Sequence, residues 1–561
     1  MVIDGRTKMK RYDSFSLCLC LLMGMMASGQ GSAAAAPEPT DIAGMQMERD
    51  RRDMEREQVR EQIAEDEAAR KNAVEQGKSS STEVADTELR FELKRVEWNP
   101  SEILTQEEIQ GITDGYIGRP ITAKDLVEMT DKITELYRQK GYMTCGAVLN
   151  RRIHDGVAAI RLIEGRTERL SVSGNNYTKE GYITGRLGLK TGEIANIDKL
   201  NRNLRWFHGT NDLQLRVVIK PGSKEGTTDY EIIAFEPQNQ MVTLYADNDG
   251  YETSGRWREG VFYTVRSLSG QRDALRGSFI RSQGTKAWAF GYSFPLSRQG
   301  MRLDLNYSGN RTKVTSGELK PLGVQGKAES YSLTLRVPFQ ITKLSRHEAG
   351  LQYVYQTAKT DVGHGVGTVE PWVDDKVRRV IPYVSFTHYG DSSVFYHKHS
   401  FVFAERRDLG GNSHSARIYR LSSFGQKRYN GGQFWQTRLE GQWCEDNYLA
   451  SSDRFFIGGV NSVRGYEEGF IGGIRGLSAN LEYHIPLDKA KHFSVFPFFD
   501  WGTIGGEVGM EHKTLMSTGI GLEARYKHLY STLSVGIPLK KDFYEKRVDS
   551  TRIDFSLSAT F

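Results

Sequence analysis

The sequence predicts a membrane β-barrel of about 16 antiparallel strands, preceded by a polar helix and two small α+β units. Three observations predict this fold. Apolar and polar residues alternate in many segments from residue 237 to the end of the 561-residue chain. Helical periodicity is confined to the residues before Pro237. Outside the N-terminus, no apolar run reaches the roughly 18 residues that a membrane-spanning helix needs.

Residues 1–36 have the three regions of a secretory signal peptide. Lys8, Lys10 and Arg11 precede an apolar stretch at 15–26, and small residues follow at 27–36. Met9 is an alternative start, and the cleavage site falls between residues 29 and 36. A membrane anchor is disfavoured because the apolar stretch is too short to span a bilayer. We therefore expect the mature chain to leave the cytoplasm.

The cysteines and the charges exclude several classes of protein. Two of the four cysteines, Cys18 and Cys20, lie in the signal peptide, and the other two, Cys145 and Cys444, are far apart in the chain. Neither a disulfide framework nor a cysteine metal cluster is expected. The 75 basic and 70 acidic side chains nearly balance, so nucleic-acid binding is not expected.

Residues 45–76 are almost all helix formers, without proline or glycine, and their charges surround the helix axis. A helix with no broad apolar face must lie in water. Two placements remain open from composition alone, a solvated spacer between domains or a hydrated lumen. The following residues, 77–87, are small and polar and predict a flexible linker.

Residues 88–165 predict a first α+β unit. Leu89, Phe91 and Leu93 alternate with charged residues, which indicates a half-buried strand. A helix capped by Thr122 and Asp125 follows. Strands are then predicted at 143–149 and 157–163, joined by a turn at 154–156.

Residues 166–236 predict a second unit of the same β-α-α-β-β order. Its strand at 168–173 precedes a helix whose apolar face carries Ile197, Leu200, Leu204 and Phe207. Strands near 212–219 and 228–235 complete this unit.

Residues 237–561 carry the period-two segments, and the last of them is the clearest. Ile553, Phe555, Leu557, Ala559 and Phe561 fall on one face, and polar residues fall on the other. A closed barrel with a lipid-facing apolar surface and a polar interior accounts for such segments. A large β-sandwich or a propeller is the soluble alternative, but no blade repeat is present.

Two motifs in this region carry a family resemblance. Residues 455–466, FFIGGVNSVRGY, and residues 498–502, FFDWG, resemble the two barrel motifs of the BamA/TpsB superfamily of outer-membrane transporters. With the signal peptide, the polar helix and two POTRA-like units, the whole mature chain resembles the haemolysin secretion/activation proteins of the ShlB/FhaC/HecB family. These are the TpsB transporters of two-partner secretion, a type V pathway.

The resemblance implies a specific contact between the two motifs. Val463, Arg464, Gly465 and Tyr466 would form the tip of a loop folded back into the barrel, where Arg464 would reach Asp500 on the inner wall. A guanidinium can bind a carboxylate through two parallel hydrogen bonds. The implied site on the loop and on the wall consists of Val463, Arg464, Gly465, Tyr466, Phe498, Asp500 and Gly502. Gly465 would permit a tight turn, and Gly502 a close backbone approach. The alternative is that Arg464 is an exposed loop residue and Asp500 a turn residue.

The resemblance also implies a function and a location. The barrel would lie in the bacterial outer membrane, in contact with its lipid, with both POTRA-like units in the periplasm and residues 37–76 as a plug. The substrate would be a large unfolded secreted partner, a TpsA-like adhesin or haemolysin. The units would bind it by pairing a strand edge, with 197–207 and 212–219 as the candidate elements. Phe561 would be the signal read by the barrel assembly machinery, or simply a lipid-facing residue.

The sequence gives less support to other transport functions and to enzyme activity. An assembly factor that inserts other barrels and a diffusion porin remain as alternatives. Leu351 stands where a zinc-protease motif that starts at His347 needs its second histidine, and Asn72 replaces the first glycine of a phosphate loop before Gly77. No enzyme activity, catalytic residue, metal site or cofactor is expected, and export is expected to need no nucleotide hydrolysis.

Overall fold

The structure is a computed structural model that describes residues 41–71, 90–150, 153, 155–364, 368–446, 448–506, 514–541, 543 and 548–561. The expected signal peptide (1–36) and linker (77–87) lie outside these residues. Within the described part of the chain, no helix is both long enough and apolar enough to span a membrane.

The N-terminal helix α1 spans Ile42–Lys71, 30 residues, and is about 45 Å long. It begins three residues before the predicted start because Asp41 caps it. The Gly44 N–H donates to the Asp41 carboxylate at 2.9 Å. The last predicted residues, 72–76, lie outside the described part.

In the described residues of the first α+β unit there are two helices and five strands. They are β1 (Phe91–Glu92), β2 (Arg95–Trp98), α2 (Gln106–Thr113), β3 (Pro120–Ile121), α3 (Ala123–Gln139), β4 (Cys145–Leu149) and β5 (Val157–Glu164). The sheet order is β2-β5-β4, with β2 parallel to β5, while β1 pairs with β3. The predicted cap of α3 is present, since Thr122 and Asp125 form a capping box.

The strand predicted from Leu89 to Leu93 differs from the structure. Within the described residues 90–93, β1 is the strand that forms, and the strand that joins the sheet is β2. The chain bends between them because the N–H groups of Lys94 and Arg95 both donate to the Gly156 carbonyl, at 2.8 and 3.4 Å. Leu93 at the bend is fully buried. The alternation therefore marks the burial of Leu93 correctly, but it places the strand of the sheet before the bend, whereas that strand, β2, follows it.

The second α+β unit repeats this arrangement. It consists of β6 (Arg166–Ser173), α4 (Glu180–Leu187), α5 (Ile197–His208), β7 (Gln214–Pro221) and β8 (Thr227–Phe235). Its sheet order is β6-β8-β7, again with a parallel pair, β6 and β8. The predicted apolar face of α5 is buried in the core of the unit. The position of α4 was not predicted, because its eight residues include two glycines, which favour helix poorly.

His208, at the end of α5, makes the second unit sensitive to pH. It is 9% exposed, and its Nε2 accepts the Leu215 N–H at 2.9 Å. Burial lowers its pKa from 6.5 to about 4. Because the folded pKa lies below the unfolded one, the contribution to stability is complete above pH 6.5 and is lost as the pH falls through 4.

We expect the second unit to lose about 3 kcal/mol of stability over this pH range. Hydrogen exchange of the β7 and β8 amides in the full chain measures the loss. His208→Gln is the matched variant, since its amide oxygen can accept the same hydrogen bond without titrating. The same pH dependence in both proteins would rule out His208 as the cause.

Sixteen strands close into one antiparallel barrel, which confirms the predicted fold class. Each strand pairs with the next one along the barrel sheet, and the last strand pairs with the first to close it. The strands are β9 (Gln240–Asp247), β10 (Arg258–Arg266), β11 (Ala274–Arg281), β12 (Thr285–Pro295), β13 (Arg302–Lys313), β14 (Gln325–Ile341), β15 (Ser345–His364), β16 (Thr368–Tyr389), β17 (Ser393–Arg407), β18 (Ser413–Arg428), β19 (Phe434–Cys444), β22 (Arg475–Pro486), β23 (Phe493–Gly505), β24 (Thr514–Tyr526), β25 (Leu529–Pro538) and β26 (Arg552–Thr560). Two further short strands, β20 (Phe455–Ile457) and β21 (Ile471–Gly473), pair with each other outside the barrel sheet.

The two faces of the barrel wall differ in polarity as predicted. On β26, Ile553 is 53% exposed on the outer face, whereas Arg552 and Asp554 on the inner face are 5% and 4% exposed. The second α+β unit contacts the short turns at one end of the barrel. Arg272, in the turn between β10 and β11, donates to Asp212 of the second unit at 2.8 Å. The long loop between β19 and β22 belongs to the opposite end.

Candidate functional site

The loop at 445–474 folds back into the barrel, with β20 and β21 as its stem. Its tip carries three of the predicted residues, Val463, Arg464 and Tyr466, which are 0%, 5% and 1% exposed. A loop tip open to solvent would expose such side chains. Their burial shows that the loop packs against the inner wall.

Arg464 lies against Asp500 of β23. Its Nε donates to Oδ2 at 2.7 Å, its Nη2 donates to Oδ1 at 2.8 Å, and its backbone N–H also reaches Oδ2, at 3.1 Å. Asp500 is completely buried. The pair has the bidentate geometry that gives an arginine–carboxylate contact its strength and direction.

Two further wall residues contact the guanidinium of Arg464, and a third contacts Asp500. The Nη1 of Arg464 lies 2.9 Å from the Glu482 carboxylate on β22, and its central carbon lies 3.6 Å from the ring centre of Phe498. Asn480 donates to Asp500 at 2.8 Å. Sequence reasoning identified Phe498 and Asp500 but missed Glu482 and Asn480. Removal of one partner from such a buried pair typically costs about 3–5 kcal/mol, because the other charge is left uncompensated.

Glycines allow the loop tip to approach the wall. Gly465 has a φ of +89°, which a residue with a side chain rarely adopts. A Cβ on Gly502 would lie 3.0 Å from Val463 Cγ2, so the predicted close approach is present. A third glycine was not predicted. A Cβ on Gly536 of β25 would lie only 2.5 Å from the Gly465 backbone nitrogen. The feature of the sequence that could have identified Gly536 is a glycine at an inward-facing position of a strand, which often marks a close backbone approach.

Tyr466 attaches the loop tip to backbone carbonyls at residues 516 and 540. Its hydroxyl donates to the Lys540 carbonyl at 2.8 Å and lies 3.0 Å from the Met516 carbonyl. All seven predicted residues of the loop and the wall therefore come together in the structure. What they do during transport stays a prediction.

The helix α1 lies in the barrel lumen. Near its start, Thr360 of β15 donates to Asp41 at 3.0 Å, and Asn310 of β13 donates to the Ala43 carbonyl at 3.1 Å. Near its other end, Arg266 of β10 donates to Glu61 at 2.6 Å. These strands lie around the wall, and the contacts run from one end of the barrel to the other. Of the two placements that the sequence left open, the structure shows the lumen.

The helix and the loop also contact each other. Arg56 donates to Glu440 on the wall at 2.6 Å and to the Asn461 carbonyl in the loop at 2.8 Å. Asn461 in turn donates to Asp53 of α1 at 2.8 Å. The loop and the helix thus form one packed body inside the barrel, held by polar contacts.

Arg49 is the least satisfied side chain in this body. It is 2% exposed, and its three guanidinium nitrogens make no hydrogen bond within the described residues. The nearest carboxylates, of Asp53 and Glu468, lie 3.7 and 3.9 Å away. A buried charge without hydrogen bonds is costly. The burial of Arg49 therefore makes the binding of the helix in the lumen less favourable than it could be.

The remaining predicted residues lie elsewhere. Phe561 is 54% exposed, and its backbone exchanges hydrogen bonds with Val242 of β9 at the closure of the barrel. Cys145 and Cys444 are buried free thiols. The described residues contain no group of three or more His, Cys, Asp or Glu side chains arranged to hold a metal ion.

Two protein families match parts of the chain. The POTRA domain of ShlB type matches residues 91–165, and the haemolysin secretion/activation protein ShlB/FhaC/HecB matches residues 391–524. The second match contains both motifs of the site.

Individual proteins are similar over most of the chain. The heme/hemopexin transporter protein HuxB of Haemophilus influenzae is 22% identical over 451 residues, which are 76% of this chain and 78% of that protein. The outer membrane transporter CdiB of Dickeya dadantii is 23% identical, over 69% and 71% of the two chains.

Solved structures show the same fold. CdiB from Escherichia coli superposes with a TM-score of 0.67 at 17% identity, over 94% of this chain and 100% of that chain. BamA from Haemophilus ducreyi, lacking POTRA domains 1–3, gives a TM-score of 0.51 at 14% identity, over 84% and 100%. The chain is therefore similar to the two-partner secretion transporters over most of its length and carries the ShlB/FhaC/HecB match in its barrel, which lies in the outer membrane with the POTRA-bearing part in the periplasm.

Proposed function

We propose that this transporter exports one large, unfolded, TpsA-like partner protein through its barrel, and that export needs no nucleotide hydrolysis. The observation that carries the proposal is the content of the lumen. One helix and one loop fill it, and polar contacts, which can be broken and remade, hold both. A barrel with only a structural role would not need a lumen whose contents can be displaced.

The helix is the element that leaves the lumen in this proposal. An α-helix with its side chains is about 10–12 Å wide, which is also enough room for an extended polypeptide. The unsatisfied guanidinium of Arg49 lowers the cost of its departure, because water can hydrate this group outside the barrel. The expected linker at 77–87 would give the helix the freedom to move.

The loop stays in contact with the wall in the resting state. Arg464 and Asp500 hold the tip at a fixed height in the lumen, and the contact with Glu482 adds a second anchor. We propose that this pair positions the loop for transport, and that neither residue has a catalytic role. The protein would then act as a channel and a folding guide, not as an enzyme.

The α+β units would receive the partner in the periplasm. The second unit presents β7 at the edge of its sheet, next to α5. An extended segment of the partner can add to such an edge through backbone hydrogen bonds. Ile219 on β7 is 43% exposed and offers an apolar contact beside this edge. Phe561 would serve earlier, as the signal read by the barrel assembly machinery.

The alternative is an assembly factor that inserts other barrels into the membrane. The fold that this chain shares with BamA is compatible with that function. Depletion of the protein in its own host separates the two functions. Loss of one large protein from the culture medium, with an unchanged outer-membrane protein profile, is the result expected for a dedicated exporter. A general loss of outer-membrane proteins would refute the proposal in favour of assembly.

A further inference from the structure

Five cationic side chains cross neighbouring strands of the barrel in a single row. The strand register places them directly opposite one another, in the order Arg281 (β11), Lys286 (β12), Arg311 (β13), Lys327 (β14) and Lys359 (β15). We call these five residues the cationic row. Like charges directly opposite each other on one face of a sheet are destabilising, so the row needs a physical reason.

The cationic row lies on the outer surface of the barrel. Asn310, next to Arg311, faces the lumen, since it is fully buried and donates to the helix carbonyl of Ala43 at 3.1 Å. Ala328, next to Lys327, packs against the same helix residue. Because successive side chains of a strand point to opposite faces, the members of the row point away from the lumen.

The height of the row relative to the membrane follows from an aromatic row on the same face. Tyr307, Tyr331 and Tyr355 lie directly opposite one another, and the first two rings are 4.9 Å apart. Such aromatic girdles mark the edge of the lipid-facing band. Lys327 is four residues beyond Tyr331, which is about 10 Å along the membrane normal for a strand tilted by about 40°. This is the level of the lipid headgroups.

The row belongs to the outer leaflet. It lies at the ends of β11 and β13 and at the starts of β12 and β14, away from the turns that contact the α+β units. Those units are periplasmic, so the row is at the extracellular end of the barrel.

The centre of the row carries uncompensated positive charge. Carboxylates contact three of the five members, in the pairs Glu259–Arg281, Glu329–Lys327 and Asp374–Lys359. The two central members, Lys286 and Arg311, are exposed and make no ion pair within the described residues. Lys313, two residues beyond Arg311 on the same strand, is also exposed and adds a further positive charge.

We propose that the cationic row binds the phosphate groups of the anionic glycolipid in the outer leaflet of the outer membrane. A guanidinium binds a phosphate through two parallel hydrogen bonds, and a lysine ammonium adds a point charge. Bound phosphate would remove the repulsion within the row and would fasten this side of the barrel to the leaflet. This interaction is independent of the export function.

The test uses the full chain, purified in a non-ionic detergent and titrated with lipid A that carries both phosphates. The variant is Lys286→Gln/Arg311→Gln, and the matched control is Lys343→Gln/Lys427→Gln, two exposed lysines at the periplasmic end. Heat-modifiable migration on a gel reports whether each barrel is folded and at which temperature it unfolds. Arg311→Gln alone serves if the double variant does not fold.

The wild-type protein and the control are expected to gain thermal stability with lipid A, and the row variant is expected to need at least about tenfold more lipid for the same gain. Without lipid, the row variant should be as stable as wild type or more so, because it lacks the repulsion. Lipid A without phosphates should have little effect on any of the proteins. The same lipid response in wild type and the row variant, or a full response to the phosphate-free lipid or to inorganic phosphate alone, would overturn the proposal.

Discussion

Arg464→Ala is expected to reduce the amount of exported partner in the medium by about tenfold or more, while the barrel still inserts into the outer membrane. The change leaves the buried Asp500 without its bidentate partner and removes the cation beside Glu482, and loss of one partner from such a buried pair typically costs about 3–5 kcal/mol. A loss of this size is enough to shift the loop from its docked position in most molecules. The barrel sheet itself does not depend on the pair, so folding should persist. Immunoblots of the medium and of outer-membrane fractions measure the two effects.

Arg475→Ala is the matched control for this experiment. Arg475 lies at the end of the same loop, where its guanidinium is 5.5 Å from the ring centre of Trp443, and it does not contact Asp500. This control should export normally. Arg464→Lys should have an intermediate effect, because an ammonium cannot make the bidentate contact. Normal export by Arg464→Ala would show that the loop pair has no role in transport.

Deletion of Ile42–Lys71 is expected to raise the single-channel conductance in planar bilayers several-fold. The helix occupies the lumen from one end to the other, and its removal leaves a water-filled passage about 10 Å wide. Single substitutions that weaken the contacts of the helix should also raise the conductance, but by less. Arg56→Ala breaks contacts with both the wall and the loop, so brief openings should become more frequent.

Arg60→Ala supplies the control for the helix. Arg60 is 56% exposed, and its nearest carboxylate within the described residues, Glu57 of the same helix, is 3.9 Å away. Its conductance should match that of the wild-type protein. An unchanged conductance after deletion of the whole helix would mean that the loop alone closes the lumen.

Alternation of apolar and polar residues was sufficient to predict the barrel. The pattern at Ile553, Phe555 and Leu557 follows from the geometry of a strand with lipid on one side and water on the other. The contact between Arg464 and Asp500 was predicted only through the family resemblance, since the two residues are 36 positions apart and no periodicity connects them.

Other parts of the site could not be read from the sequence. Glu482, Asn480 and Gly536 belong to strands whose register relative to the loop is set by closure of the whole barrel. The cationic row could not be predicted for the same reason, because Lys286 and Arg311 become neighbours only when β12 and β13 pair. In the first α+β unit, the bend at Lys94 and Arg95 is held by the Gly156 carbonyl, a contact about 60 residues away in sequence that no local pattern reveals.

Export through the barrel requires the helix to leave the lumen. Ala43 of the helix and Ala328 of the wall lie in one buried apolar cluster, so a disulfide between cysteines at these positions would hold the helix in place. In Ala43→Cys/Ala328→Cys cells, the periplasm supplies the oxidising conditions for the bond, and a gel shift under non-reducing conditions reports its yield. We predict that export of the partner stops when the bond is formed, returns after a mild reductant, and is normal in each single-cysteine control. Undiminished export with the bond fully formed would show that the helix does not have to leave the lumen.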